Sequence, residues 1–152
     1  MARKNTGKPL NVLVVCHGNI CRSPLVTEIL RREIGAERVR SRGLKESAKG
    51  PAAKKVRDYA EGIGIDLTEH RASILTTEDV EWADLLIYMD GGNRKRLEGF
   101  KIPPKCVVKC LGDYVGLTRI DDPNFLPKGP KLDTLLGIIV SATRRLATEL
   151  GK

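Results

Sequence analysis

The sequence predicts a three-layer α/β fold, a four-stranded parallel sheet with helices on both faces, and three observations carry that expectation. Short runs of β-branched and apolar residues lack the alternation of a strand with one wet face, so they read as strands buried on both sides. These runs alternate with stretches at helical spacing, the signature of parallel strands joined by crossover helices. The first run ends in a tight loop that opens directly onto a helix, the place where ligands bind in such folds.

The elements follow in order. Residues 10–15 (Leu-Asn-Val-Leu-Val-Val) form the first strand, ending in Cys16-His17-Gly18-Asn19-Ile20-Cys21-Arg22. Ser23 reads as an N-cap with Pro24 at the first helical position, and Leu25, Val26, Ile29, Leu30 and Ile34 recur on one helical face. A short strand is expected over 38–42 and a helix over 51–63, stopping near Gly62 and Gly64. Thr76 or Thr77 with Glu78 and Asp79 opens a short helix before a buried strand at 83–89. Gly91, Gly92, Arg94, Lys95 and Arg96 belong to a polar helix that Pro103 and Pro104 break, and 106–111 is the fourth strand. The last helix covers 131–150, with Leu132, Leu135, Leu136, Ile139, Val140, Thr143 and Leu146 on its buried side. Residues 1–9 read as a basic flexible tail, and 10–152 as one domain.

The 152 residues suit one domain, and 41% hydrophobic with 30% charged residues is a soluble globular composition. The surplus of 27 Lys and Arg over 19 Asp and Glu gives a net charge of +8, which favours anionic partners. With 4% aromatic residues the basic cluster Arg94, Lys95, Arg96, Lys101 and Lys105 lacks stacking platforms for single strands, so no specific nucleic acid is expected; it reads as a solvated face. Apolar runs fall short of the roughly 20 residues a bilayer needs, and no signal-peptide core is evident, so the expectation is a cytoplasmic protein with no membrane partner. Four cysteines are too few for a disulfide scaffold in a chain of this length and read as thiols.

The loop from Cys16 to Arg22 carries the chemistry. Gly18 and Asn19 tolerate positive φ, so successive backbone N–H groups can turn inward as an anion nest at a helix N-terminus. An oxyanion of phosphate size fits there, and Arg22 offers a planar fork of donors. The same field favours the thiolate of Cys16, the nucleophilic form. Below a bound phosphoryl group such a thiolate is placed for in-line attack, giving a phosphocysteine that water later hydrolyses. The leaving oxygen needs a proton, and Asp121-Asp122-Pro123 supplies the best candidate acid: the proline holds Asp122 in extended geometry and fixes its direction.

The run Val15 to Pro24, Val-Cys-His-Gly-Asn-Ile-Cys-Arg-Ser-Pro, resembles the signature of the low-molecular-weight protein tyrosine phosphatases. The resemblance extends through Ser41, Gly64-Ile65-Asp66, His70-Arg71-Ala72, Thr77-Glu78-Asp79, Ala83-Asp84, Met89-Asp90 with Asn93, and Asp122-Pro123. It implies hydrolysis of phosphotyrosine in proteins, or of small aryl phosphates, with Cys16 as nucleophile, Asp122 as general acid and base, and inorganic phosphate or a similar oxyanion held by residues 17–23. It further implies that Ser23 helps the thiolate leave, and that Asn19, Ser41 and His70 keep the loop in shape. No metal or organic cofactor is implied, a monomer is the family expectation, and Cys21 is expected to trap Cys16 as a reversible disulfide under oxidation.

Several positions depart from the commonest family pattern. His17 stands at the pocket mouth where many relatives carry leucine, methionine or threonine, which bears on substrate preference. Asn124-Phe125 follows Asp122-Pro123 where many members carry one or two aromatics, and both are expected to wall the pocket. The loop after Ser41 contains Arg42, expected on the pocket wall, with Lys45 and Lys49 and no aromatic residue, favouring acidic phosphopeptides. Ile20 is the residue of tyrosine phosphatases, where phosphoarginine phosphatases place threonine. The alternatives weighed beside this reading are a thioredoxin-coupled arsenate reductase using Cys106 and Cys110, and a non-catalytic phosphate-binding module. A zinc site from the four cysteines is disfavoured because Cys-x4-Cys and Cys-x3-Cys are looser than usual zinc pairs.

Overall fold

In the computed structural model, which describes residues 9–151, β1 (Val12–Cys16) runs through the middle of a four-stranded parallel sheet. The expected tail at 1–9 lies, apart from Pro9, outside the described residues. On one side β1 pairs with β2 (Val39–Gly43) and on the other with β3 (Leu85–Tyr88), while β4 (Val107–Cys110) pairs with the far edge of β3. The spatial order is thus β2-β1-β3-β4. Chain direction across the sheet reverses at β1, which opens a crevice beyond its carboxyl end, and Cys16 stands at that end opposite Gly43.

Period-two geometry sends alternate β1 side chains to two different cores. Val12, Val14 and Cys16 join the layer built with α1 (Arg22–Ile34), α2 (Lys54–Gly62) and α5 (Pro130–Leu150). Leu13 and Val15 join the layer built with α3 (Thr77–Trp82) and α4 (Gly91–Leu97). Each fully buried Val or Leu is worth about 1.5–3 kcal/mol over an exposed one, and a one-residue slip would exchange the two sets, so β1 is fixed in register from both faces. That fixes where Cys16 sits.

Element boundaries differ from the sequence expectation for local reasons. α1 begins at Arg22 with Cys21 as its cap residue and no side-chain cap bond, because the Ser23 hydroxyl is engaged inside the loop rather than at the helix end. α2 begins at Lys54, not Pro51: the Ala53 N–H is taken by the Ile20 carbonyl at 2.8 Å. Thr76 does cap α3, in a reciprocal box with Asp79. β3 stops at Tyr88 because the Met89 N–H donates to Asn93 Oδ1 at 2.9 Å instead of to a neighbouring strand. Single turns of 3-10 helix at Ala36–Arg38, Leu111–Val115 and Pro123–Phe125 were not expected. No helix among the described residues is long and apolar enough to cross a membrane.

Candidate active site

The loop from Cys16 to Arg22 is shaped by what holds its carbonyls. Leu44 N–H donates to the carbonyls of Cys16 and His17 (both 3.0 Å), Lys45 N–H to His17 (2.8 Å), and Ala53 N–H to Ile20 (2.8 Å). His70 Nε2 bonds the Asn19 carbonyl at 2.7 Å. In a planar trans peptide the next N–H points opposite to the carbonyl, so tethering these four carbonyls to the surroundings turns the amides of His17, Gly18, Ile20 and Cys21 towards the loop interior.

Asn19, not Gly18, supplies the left-handed turn: its φ is +60°, the only positive value at a non-glycine position among the described residues. Its side chain is fully buried and spends every polar atom locally. Nδ2 donates to Ser23 Oγ (2.7 Å) and Ser41 Oγ (2.5 Å), and Oδ1 accepts from Ser73 N–H (3.0 Å). Cys16, 2% exposed, has its Sγ 3.0 Å from Ser23 Oγ and accepts from the Asn19 N–H at 3.3 Å. Gly43 carries a requirement that sequence reading did not reach, since a Cβ there would lie 2.7 Å from Ala48 Cβ and 3.0 Å from Asn19 Cβ.

Arg22 is almost wholly buried, and one of its three guanidinium nitrogens is already committed. Nη1 donates to Asp90 Oδ2 (2.6 Å) and to the Ile120 carbonyl (2.7 Å). Nε is buried without a partner, and Nη2 lies 3.8 Å from Asp122 Oδ2. The edge formed by Nε and Nη2 is therefore the fork left for an acceptor. Asp90 is the residue that sequence reading quoted without a role: one carboxylate oxygen orients Arg22 while the other caps α4 through Asn93 N–H (2.8 Å). Burial pushes its acidity the unfavourable way, but the bonds from Arg22, Asn93 and Gly92 outweigh it and hold the carboxyl below its ordinary range.

Asp122 reaches the same place from the far side. Its Oδ1 accepts from Asn124 N–H at 2.9 Å, which leaves Oδ2 facing Arg22, and its side chain is 28% exposed. Cys16, His17, Gly18, Ile20, Cys21, Arg22, Lys45, Asp122 and Asn124 line one small pocket of about 70 Å³. Burial, then the charges of Asp122 and Cys16, push the Cys21 thiol up to about 12, so it stays protonated. Burial likewise lowers His70, whose neutral ring can donate from Nε2 to Asn19.

Two expected wall residues are elsewhere. Arg42 alternates on β2 to the face opposite Ser41, where its Nε pairs with Asp79 Oδ2 (2.9 Å) beside Arg40. Phe125 is 84% exposed and does not line the pocket. Lys45 takes the rim position instead. Cys110 is buried on β4, its Sγ directed at the carbonyls of Met89 and Thr118, and Cys106 precedes that strand; neither lines the pocket.

Comparison with known proteins shows one family and one fold. The family described as low molecular weight phosphotyrosine protein phosphatase matches residues 11–152. A probable low molecular weight protein-tyrosine-phosphatase, EpsP of Ralstonia solanacearum, is 38% identical over 112 residues, 74% of this chain and 77% of its own. Its counterpart from Ralstonia nicotianae is 39% identical over 87 residues, 57% of this chain, and the match spans 60% of that relative's length. Among solved structures, the tyrosine phosphatase Wzb from Escherichia coli K30 in complex with sulphate superposes with a TM-score of 0.81 at 27% identity, covering 93% of this chain and 99% of that one.

Proposed function

The chain belongs to the low molecular weight phosphotyrosine protein phosphatase family, and from that premise we propose that it hydrolyses phosphotyrosine monoesters through a phosphocysteine on Cys16. The observation that carries the reading is the meeting of three groups on one pocket: the Cys16 sulfur, the unpartnered Nε edge of Arg22, and Oδ2 of Asp122. The phosphoryl oxygens sit among the inward amides and the Arg22 fork, and the similar tyrosine phosphatase Wzb is described in complex with sulphate, an oxyanion of the same shape. The Cys16 thiolate attacks phosphorus, the aryl ester P–O bond breaks, and the proton on Asp122 Oδ2 passes to the phenolic oxygen. Asp122, now a carboxylate, takes a proton from the water that attacks the phosphocysteine, and Ser23 Oγ, 3.0 Å from the sulfur, stabilises the departing thiolate. Asn19, Ser41 and His70 hold the loop through the bonds described above.

Lys45, exposed on the pocket rim, supplies attraction for acidic residues beside the phosphotyrosine, with His17 and Asn124 completing the mouth. On oxidation by peroxide, Cys16 passes to a sulfenic acid that the Cys21 thiol displaces as a disulfide with loss of water. The reading includes a cytosolic, monomeric enzyme; four cysteines as free thiols support a reducing compartment. Hydrolysis of p-nitrophenyl phosphate from pH 5 to 8, with chelator and no added metal, tests it. Cys16→Ser abolishes turnover, and Asp122→Ala lowers it by about 10²-fold or more, the range of general acid and base catalysis. A wild type without activity, or a Cys16→Ser variant with it, overturns the reading.

A further inference from the structure

The segment carrying Asp122 is anchored on both sides, and only one anchor belongs to the phosphate site. Upstream, Ile120 donates its N–H to the Met89 carbonyl (2.7 Å) and gives its own carbonyl to Arg22 Nη1. Downstream, the 3-10 turn Pro123–Phe125 ends on Lys55, whose ammonium donates to the carbonyls of Asn124 (2.9 Å) and Leu126 (2.5 Å). Lys55 lies in the first turn of α2, one residue after Lys54, whose helix start is itself keyed to the phosphate loop by the bond from Ala53 N–H to the Ile20 carbonyl. Lys55 makes no ion pair with a carboxylate among the described residues; its donors go to backbone. A second tether, Lys128 to Asp58 (2.6 Å), is exposed and joins side chains only.

We propose that Lys55 is a positioning residue for the general acid: by holding the Asn124 and Leu126 carbonyls against the start of α2, it sets the distance between Asp122 Oδ2 and the leaving-group oxygen. The chain of contacts is short. Lys55 holds the Asn124 carbonyl, the N–H of the same residue holds Asp122 Oδ1, and Oδ2 is thereby left facing Arg22 at the pocket. An ammonium suits the task because its three rotatable donors can serve two carbonyls at once. The inference rests on Asp122 acting as the acid, as argued above.

The test is a leaving-group comparison of kcat/KM, which reports the step that forms the phosphocysteine. Phenyl phosphate needs its leaving oxygen protonated, while 2,4-dinitrophenyl phosphate leaves as a stable anion. Lys55→Met should lose about tenfold or more with phenyl phosphate and less than about threefold with the dinitrophenyl ester, a share of the 10²–10⁴ that general acid catalysis supplies. Lys55→Arg, which keeps two donors for the two carbonyls, should recover most of the loss. A purely structural role would lower both substrates alike in proportion to the folded fraction, followed by thermal unfolding. Asp122→Asn is the reference. If it discriminates between the esters and Lys55→Met does not, the Lys55 proposal is overturned alone; if Asp122→Asn shows no discrimination, the acid assignment falls and the proposal falls with it.

Discussion

Replacing Asn19 separates two things this residue does, bonding its neighbours and turning the chain. Asn19→Gly keeps the left-handed φ of +60° accessible but deletes three side-chain bonds, to Ser23, Ser41 and the Ser73 N–H. Each serine oxygen loses an accepted bond but keeps its own O–H donor, whereas a stranded backbone N–H costs about 1–3 kcal/mol, so the total loss is about 2–4 kcal/mol. Asn19→Ala suffers the same deletions and must also place a Cβ at positive φ, at about 1–2 kcal/mol. The lower unfolded-chain entropy of alanine gives back about 0.4–1 kcal/mol. The glycine variant should therefore be the more stable of the two by about 1 kcal/mol, the reverse of the order expected in a helix. Urea unfolding in phosphate-free buffer measures this directly, since an anion bound to the native loop would mask the difference. At about 2–4 °C per kcal/mol for a chain of this length, thermal midpoints should follow the same order. An alanine variant as stable as the glycine variant would refute the claim that Asn19 is selected for its backbone as well as its side chain.

Three further outcomes are expected. Asp90→Asn leaves the buried Arg22 without its ionised partner and should lower stability by about 3 kcal/mol, the lower end for a broken buried pair because Asp90 is partly solvated; added phosphate should restore much of that loss, and a loss indifferent to phosphate would mean Asp90 does not compensate Arg22. Burial depresses His70 below its ordinary 6.5, so the folded state binds fewer protons there than the unfolded chain. The stability this contributes is present above about pH 6.5 and lost as pH falls through the folded value. Urea midpoints between pH 7.5 and 5 should fall more in wild type than in His70→Gln, and parallel curves would remove His70 from the acid response. Burial is the largest cause of the raised Cys21 thiol and survives the loss of the Cys16 charge, so in a Cys16→Ser variant Cys21 should resist iodoacetamide at pH 8; labelling as fast as that of an exposed cysteine would contradict the burial assigned to it.

What the sequence settled by itself is whatever short-range chemistry decides. A continuous apolar strand, a loop of seven residues from cysteine to arginine and a helix with one apolar face are consecutive in the chain, so the strand, the loop and the cysteine at its start could be read in order. So could Asp122, whose direction the next proline restricts. Ser23 shows the limit of local rules: its position reads as a helix cap, yet Cys16 and Asn19 claim its hydroxyl. Only the tertiary structure decided what depends on residues far apart in sequence. Asp90 meets Arg22 across 68 positions, and Lys55 meets Asn124 across 69, through loops whose approach no spacing encodes. Arg42 leaves the pocket that Lys45 reaches, because strand alternation and a buried acid at Asp79 turn the arginine away while the backbone bond from Lys45 to His17 brings the lysine to the rim. Periodicity tells which face a residue takes; which charged group waits on that face is fixed only when the chain closes, because long-range pairing is governed by packing and desolvation rather than by local propensity.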